Sequence, residues 1–316
     1  MNSVLVTGGA GFIGSHLCEK LLELGCSIIN IDNFDPFYDP QIKRDNISSV
    51  LTNSQYTLVT GDIRDTALLD SIFKKYRIDT VVHLAALAGV RKSIDSPLDY
   101  VDVDIKGTVN LLEASRKYTA KKFVFASSSS VYGSSIQPCK ENDCVNLQMS
   151  PYAAAKLSGE LFCATYNSLY KLPIVCLRFF TVYGPRQRPE MAVHKFTRLI
   201  WEGKEVPIFS NGKSYRDYTF IDDIIDGIVR SIELKCNFEI FNLGNSKPIQ
   251  LDQLINLLEH KIGKPAYKRY LPSQKSDVEC TCADITKAKS LLGYEPAISI
   301  DKGIERFVDW FKHKTI

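Results

Sequence analysis

The chain of 316 residues has no strong excess of charge of one sign and few histidines. Its 39 basic and 36 acidic residues leave a formal net charge of +3. A field that weak, with no basic stripe, argues against a nucleic-acid partner. No apolar run approaches the roughly 20 residues that a membrane span needs, so no membrane partner is expected. The first residues, MNSVLVT, carry neither a basic leader region nor a cleavage site, which leads to a cytoplasmic expectation. Five histidines fall at no ligand spacing, and His83 lies in the apolar run TVVHLAA as a core histidine would. Nine cysteines, odd in number and scattered, make no disulfide framework. Cys280 and Cys282 form a CxC pair with no second pair or histidine near it in sequence, so no metal is expected. Repeats, low-complexity tracts and Pro/Gly-rich linkers are also missing.

What is present is rhythm. Short β-branched runs at 3–7, 27–32, 56–62, 79–85, 121–127 and 172–180 alternate with helical periods at 12–24, 66–76, 98–118 and 151–171. Such alternation predicts right-handed βαβ units and an α/β fold: a Rossmann-like, doubly wound parallel sheet. The runs are almost continuously apolar, as strands buried on both faces are. Beyond residue 185 the pattern shortens into helices at 190–202, 222–233, 251–262, 284–292 and 300–313, with strands at 206–209 and 238–241. A dinucleotide-binding domain over 1–180 and a smaller, mostly C-terminal substrate lobe over 181–316 are expected, tightly packed and with room for interleaved segments.

Gly8, Gly11 and Gly14 follow the first strand and open the first helix. That spacing permits a tight turn, a pyrophosphate against the backbone, and close packing of helix on strand. The phosphate would sit on free N–H groups at the helix start. Asp32 ends the second strand eighteen residues after Gly14. Its carboxylate suits ribose hydroxyls and repels a 2′-phosphate, which favours NAD over NADP. Asp62 with Ile63, and Ala85 with Ala86, stand at the carboxyl ends of later strands, where open α/β sheets bind ligands.

Tyr152 and Lys156 stand four apart at the start of a helix and share a face. Ser127–Ser130 lies on the same sheet edge as the glycine loop. A phenol is a poor base near neutrality, but an adjacent ammonium and a positive nicotinamide favour its phenolate. A serine hydroxyl can bridge that phenolate to a substrate hydroxyl.

From VTGGAGFIGSHL through HLAALAGV, SSSSVYG, SPYAAAK, RFFTVYGPRQRPEMA and RDYTFIDD to ADITKAKSLLGYEP, the chain resembles the extended short-chain dehydrogenases/reductases. Within them it resembles the NAD-dependent nucleotide-sugar epimerases and dehydratases. The resemblance implies Tyr152 as base, Lys156 as its activator and Ser128 as the assisting hydroxyl. Tyr152 and Lys156 would also touch the cofactor. It implies Gly8, Gly11, Phe12, Ile13 and Gly14 around the pyrophosphate, Asp32 on ribose, Asp62 and Ile63 beside adenine, and Arg216 on the sugar-nucleotide diphosphate. Asp277 would meet the nucleotide ribose. NAD would stay bound through the cycle, and helices 98–118 and 151–171 would pair across a twofold in a homodimer.

Family dehydratases carry an Asp-Glu pair, and UDP-glucuronate decarboxylases a Glu, where this chain has Ser129 and Ser130. Epimerisation at C4 through a 4-keto sugar needs neither. Thr181, Arg188, Ser129 and Ser130 resemble the UDP-glucuronate 4-epimerases, and a guanidinium among hydroxyls suits a carboxylate at C6. Arg186 or Arg188 could instead pair with diphosphate or fold their loop, and neutral or N-acetylated UDP-hexoses remain the alternative substrates. Asp104 departs from the family by replacing its usual Asn near the lysine, and the aromatic segment 32–44 could lie over the cofactor or substrate, with no further role assigned.

Overall fold

The computed structural model describes residues 3–272 and 278–315. Twelve strands run in chain order: β1 (Ser3–Thr7), β2 (Ser27–Asp32), β3 (Tyr56–Thr60), β4 (Thr80–His83), β5 (Lys122–Ser128), β6 (Ile174–Phe179), β7 (Thr181–Tyr183), β8 (Glu205–Phe209), β9 (Tyr215–Phe220), β10 (Phe238–Leu243), β11 (Pro248–Gln250) and β12 (Tyr267–Leu271). Seven form one sheet in the order β10-β6-β5-β4-β1-β2-β3, with every neighbouring pair parallel. The order reverses between β1 and β4, and there the loops leaving both strands diverge into a crevice.

Alternation along each strand builds the two cores. Val4, Val6, Ile28, Val124 and Val175 face one side, with Leu17 and Leu21 of helix Phe12–Glu23 and Ile224 and Ile228 of helix Ile221–Glu233. Leu5, Ile29, Phe123 and Ile174 face the other, against helices Thr66–Lys75, Gly107–Lys117 and Pro151–Tyr170. Both faces are therefore dry, which explains the near-continuous apolar strands. Segments interleave across residue 180: helix Ile221–Glu233 and β10 return to the large sheet, and Cys139 bridges to Ala283. The remaining segments carry a three-stranded sheet, β11-β9-β7, and a pair, β12-β8.

Two expected elements differ. The helix over 98–118 is interrupted by a π-helical turn, Val101–Lys106, between Pro97–Tyr100 and Gly107–Lys117. The unassigned segment after Asp32 contains a helix, Pro40–Ile47, capped by the Asp39 side chain. Among the described residues no helix is long and apolar enough to cross a membrane.

The helix Pro151–Tyr170 is fixed to the sheet by a buried ion pair. Glu160 and Arg178 of β6 meet at 2.7 Å, with 4% and 3% of their side chains exposed, and the Ser127 hydroxyl of β5 donates to the same carboxylate at 2.5 Å. Gly159 lets the helix approach, since a Cβ there would lie 2.3 Å from the Phe125 ring. Removing one partner of such a pair strands a buried charge, so Glu160→Gln should lower stability by about 3 kcal/mol or more. Thermal melts should show that loss, and a smaller one when Glu160→Met and Arg178→Leu are combined.

Candidate active site

The glycine loop is shaped by contacts that no other residue would tolerate. Gly8 has φ +72°, and a Cβ on it would lie 2.8 Å from the Ala85 nitrogen. A Cβ on Gly14 would lie 2.2 Å from the Gly8 carbonyl oxygen, so helix Phe12–Glu23 sits directly on the turn. Three side chains hold the loop from below. Asn30 Oδ1 accepts from Gly9 N–H at 2.9 Å, Asp32 Oδ2 accepts from Ala10 N–H at 2.9 Å, and Asn46 Nδ2 donates to the Ala10 carbonyl at 3.1 Å. No side chain caps the helix at Gly11, which leaves its first N–H groups for an anion.

A cleft of about 940 Å³ opens above this loop and continues to the smaller sheets. Gly8, Gly11, Phe12, Ile13 and Gly14 line it, and so does Asp32. Each Asp32 oxygen accepts one backbone N–H, from Ala10 and from Phe34, and keeps further acceptor capacity. The cradle, the uncapped helix start and this carboxylate fit a dinucleotide. Ala85 and Ala86, on the loop after β4, form the opposite wall. Asp62 and Ile63 border the far end. The Asp62 carboxylate is already engaged by Arg64 (Nε 2.9 Å, Nη2 2.8 Å, backbone N–H 2.8 Å) and by Asn33 Nδ2 at 3.0 Å. Its hydrogen bonds from the Arg64 side chain hold it down at about 2. Asp62 therefore offers a wall of fixed charge rather than a free acceptor.

Ser150 caps helix Pro151–Tyr170 by accepting from Ala153 N–H, and Pro151 fixes the first turn. Tyr152 and Lys156 follow one turn apart, facing the cleft. Lys156 is buried and its Nζ donates to the Ala126 carbonyl of β5 at 2.9 Å. It lies 5.9 Å from the centre of the Tyr152 ring, which meets Tyr100 edge-on at 6.1 Å. Where β5 ends, Ser128 Oγ and Ser130 Oγ are 2.7 Å apart, and Ser130 N–H donates to Ser128 Oγ. His83 is a satisfied core residue, between Thr7 Oγ1 at 2.8 Å and Thr108 Oγ1 at 2.9 Å. Burial pushes it down to about 3, so it is neutral.

Ser129, Ser130, Thr181, Arg188 and Arg216 line the other half of the cleft. Arg188 Nη1 donates to the Ala88 carbonyl at 3.1 Å, its Nε is 3.3 Å from Glu190, and its guanidinium lies 5.5 Å from the centre of the Phe37 ring. The segment after Asp32 thus forms part of the wall of the cleft. Arg186 is elsewhere. It makes two hydrogen bonds to the Glu19 carboxylate, at 2.8 and 2.9 Å, and belongs to the loop's scaffold. Arg216 Nη1 donates to the Tyr215 carbonyl. Asp277 lies outside the described residues. Arg91 and Lys195 also line the cleft and were missed. Lys195 is held below the usual ammonium range, chiefly by burial and then by Arg91 and Arg198. The helical period at 190–202 placed it on a helix without saying which face met the cleft. Among the described residues no cluster of three His, Cys, Asp or Glu could hold a metal ion.

Known proteins are similar to the chain over almost its whole length. The family described as GDP-mannose 4,6 dehydratase matches residues 5–307. A UDP-glucuronate 4-epimerase of Thermodesulfobacterium geofontis is 44% identical over 313 residues, 99% of this chain and 97% of the relative. The crystal structure of UDP-glucuronic acid 4-epimerase from Bacillus cereus, in complex with UDP-glucuronic acid and NAD, is similar with a TM-score of 0.94 and 40% identity over 99% of both chains. A UDP-glucose 4-epimerase from Thermotoga maritima, solved with UDP-glucose, gives 0.92 and 35% over 99% of this chain and 100% of that one. The chain belongs to the GDP-mannose 4,6 dehydratase family, within the NAD-dependent nucleotide-sugar epimerases and dehydratases of the extended short-chain dehydrogenase/reductase fold.

Proposed function

We infer that the protein inverts C4 of UDP-glucuronate, forming UDP-galacturonate through a 4-keto sugar. The observation that carries this reading is the pairing of two features in one cleft: Ser128, Tyr152 and Lys156 converge, and the adjoining Ser129 and Ser130 supply hydroxyls rather than the carboxylate that elimination chemistry requires. The Thermodesulfobacterium and Bacillus relatives support it. NAD seated along the glycine loop supplies hydride uptake and return at C4. Tyr152 takes the C4 hydroxyl proton and later restores it. Ser128 orients that hydroxyl, and the Lys156 ammonium favours the phenolate. On this reading Thr181, Arg188 and the serine hydroxyls meet the C6 carboxylate, while Arg216, with Lys195 and Arg91, meets the diphosphate. Asp32 holds the adenosine ribose.

Glu190 favours a second reading. Its carboxylate already pairs with Arg188, and a neutral UDP-hexose would leave that pair undisturbed. A twofold partner is proposed as well. Leu98 is 79% exposed, Leu161 61% and Leu169 65%, on the two helical segments expected to meet in a dimer. Leu111, Leu112 and Tyr166 of the same helices are buried within the chain and take no part in that face.

Proton NMR of purified protein with UDP-glucuronate and no added NAD should show new anomeric and H4 signals of UDP-galacturonate. Tyr152→Phe should reduce them by about a thousandfold or more while retaining bound NAD; turnover near that of the native protein would refute the assignment. Arg188→Ala should weaken kcat/KM for UDP-glucuronate by about tenfold or more beyond any effect on UDP-glucose. Equal losses would instead favour the neutral hexose. Light scattering on a sizing column should give a dimer mass for the native chain and a monomer for Leu161→Arg combined with Leu169→Arg.

A further inference from the structure

One buried group beside the proposed catalytic pair is unused by that mechanism. Asp104 lies in the π-helical turn Val101–Lys106 with 2% of its surface exposed. A π turn widens the helix by one residue and is a frequent mark of a functional site. Asp104 Oδ1 accepts from Leu87 N–H at 2.8 Å. Its buried Oδ2 has no hydrogen-bond partner among the described residues. Such an oxygen is costly to leave unmatched, and its environment identifies what it answers to.

The groups facing it come from four elements. From helix Pro151–Tyr170 comes Lys156, which acts on it electrostatically. Helix Pro97–Tyr100 presents Tyr100, whose hydroxyl donates to the Gly89 carbonyl and whose ring meets that of Tyr152. From β4, His83 reaches it indirectly, through the Thr108 hydroxyl that donates to the Asp104 carbonyl. The loop after β4 offers only the Leu87 N–H. His83 is neutral, so Lys156 is the cation of this set. The ammonium that would steady the Tyr152 phenolate therefore has a second anionic neighbour, one that does not line the cleft.

We propose that Asp104 is a positioning residue that acts through Lys156: its buried carboxylate competes with the Tyr152 phenolate for the ammonium and sets how far turnover extends into the acid range. This rests on the roles proposed for Tyr152 and Lys156. Burial, opposed by Lys156 and by the Leu87 hydrogen bond, raises the Asp104 carboxyl to about 6. Below that pH the group is neutral and the lysine acts on the tyrosine alone. Above it the positive charge is shared, in a low-dielectric site where sharing matters more than it would in water.

Asp104→Asn keeps the shape and the acceptor for Leu87 while removing the charge. In the NAD-loaded protein, the acid limb of kcat should move to lower pH by about half a unit or more, with alkaline turnover within about twofold of native. Asp104→Ser, also uncharged, should move it the same way. Coincident limbs for native and Asn proteins, or a shift with Asn but not Ser, would overturn the proposal. Melting supplies a readout independent of turnover. A carboxyl raised on folding contributes stability below its unfolded value near 4, which is lost as pH rises through about 6. The melting temperature of Asp104→Asn relative to native should therefore climb between pH 4 and 7; a constant difference would also overturn the proposal. The profile is taken with whichever UDP-hexose the native protein turns over. Failure of the uronate assignment thus leaves it intact, whereas no turnover of any UDP-hexose would defeat the functional reading itself.

Discussion

The placement of Tyr152 and Lys156 in the candidate site depends on one buried carboxylate. Glu160 binds Arg178 of β6 and accepts from Ser127 of β5, so a single residue registers the helix of Tyr152 and Lys156 against the two strands beneath it. Lys156 closes the arrangement by donating to Ala126, the residue before Ser127. A slip of the helix by a fraction of a turn would break both contacts and carry Tyr152 away from Ser128. Arg178 also donates to the Glu141 carbonyl, and Glu141 accepts from Asn242 N–H of β10, so the edge strand joins the same network. A buried ion pair is rarely the most stabilising choice for a core. Here it provides direction, which an apolar contact could not.

The large sheet was readable because its strands are buried on both faces and leave an uninterrupted apolar signature between helical periods. Of the smaller sheets only β8, expected over 206–209, was readable. β7 and β11 have three residues each, and β12 finds its partner β8 some sixty residues earlier in the chain. Pairing at that distance leaves no local trace. The π turn was equally silent, since one extra residue in a helix barely disturbs the period around it. Side-chain destinations were the hardest to read. Arg186 and Arg188 are separated by a single residue, yet one pairs with Glu19 behind the loop and the other lines the cleft. Asp62 occupies the expected strand end, but Arg64, two residues on, has already claimed its oxygens. Whether a charge is free or spent depends on neighbours that a sequence motif does not include.

The family's description and the proposed reaction name different chemistry on one scaffold, and the difference is confined to a few atoms. In the proposed reaction, oxidation at C4 and its reversal use the Ser128 hydroxyl, the Tyr152 phenol and the Lys156 ammonium. The fate of the oxidised sugar depends on whether a further acid or base stands at the adjoining positions. Ser129 and Ser130 sit in a tight turn directly after β5, and Ser130 is bound to the Ser128 hydroxyl. They can hold a sugar and cannot strip a proton from it near neutrality.

Phe37 belongs to the segment that leaves Asp32, while the guanidinium resting over it belongs to the loop that lines the sugar half. Asn46, nine residues further on, props the glycine turn. The two binding halves are thus built partly from one stretch of chain. In evolutionary terms they are not independent modules: an insertion or aromatic loss in residues 33–47 that retuned one ligand would disturb the wall around the other. Among the described residues the serine turn is the part of the sugar half that makes no contact with this segment, whereas the arginine loop is tied to the cradle through Arg186 and Glu19.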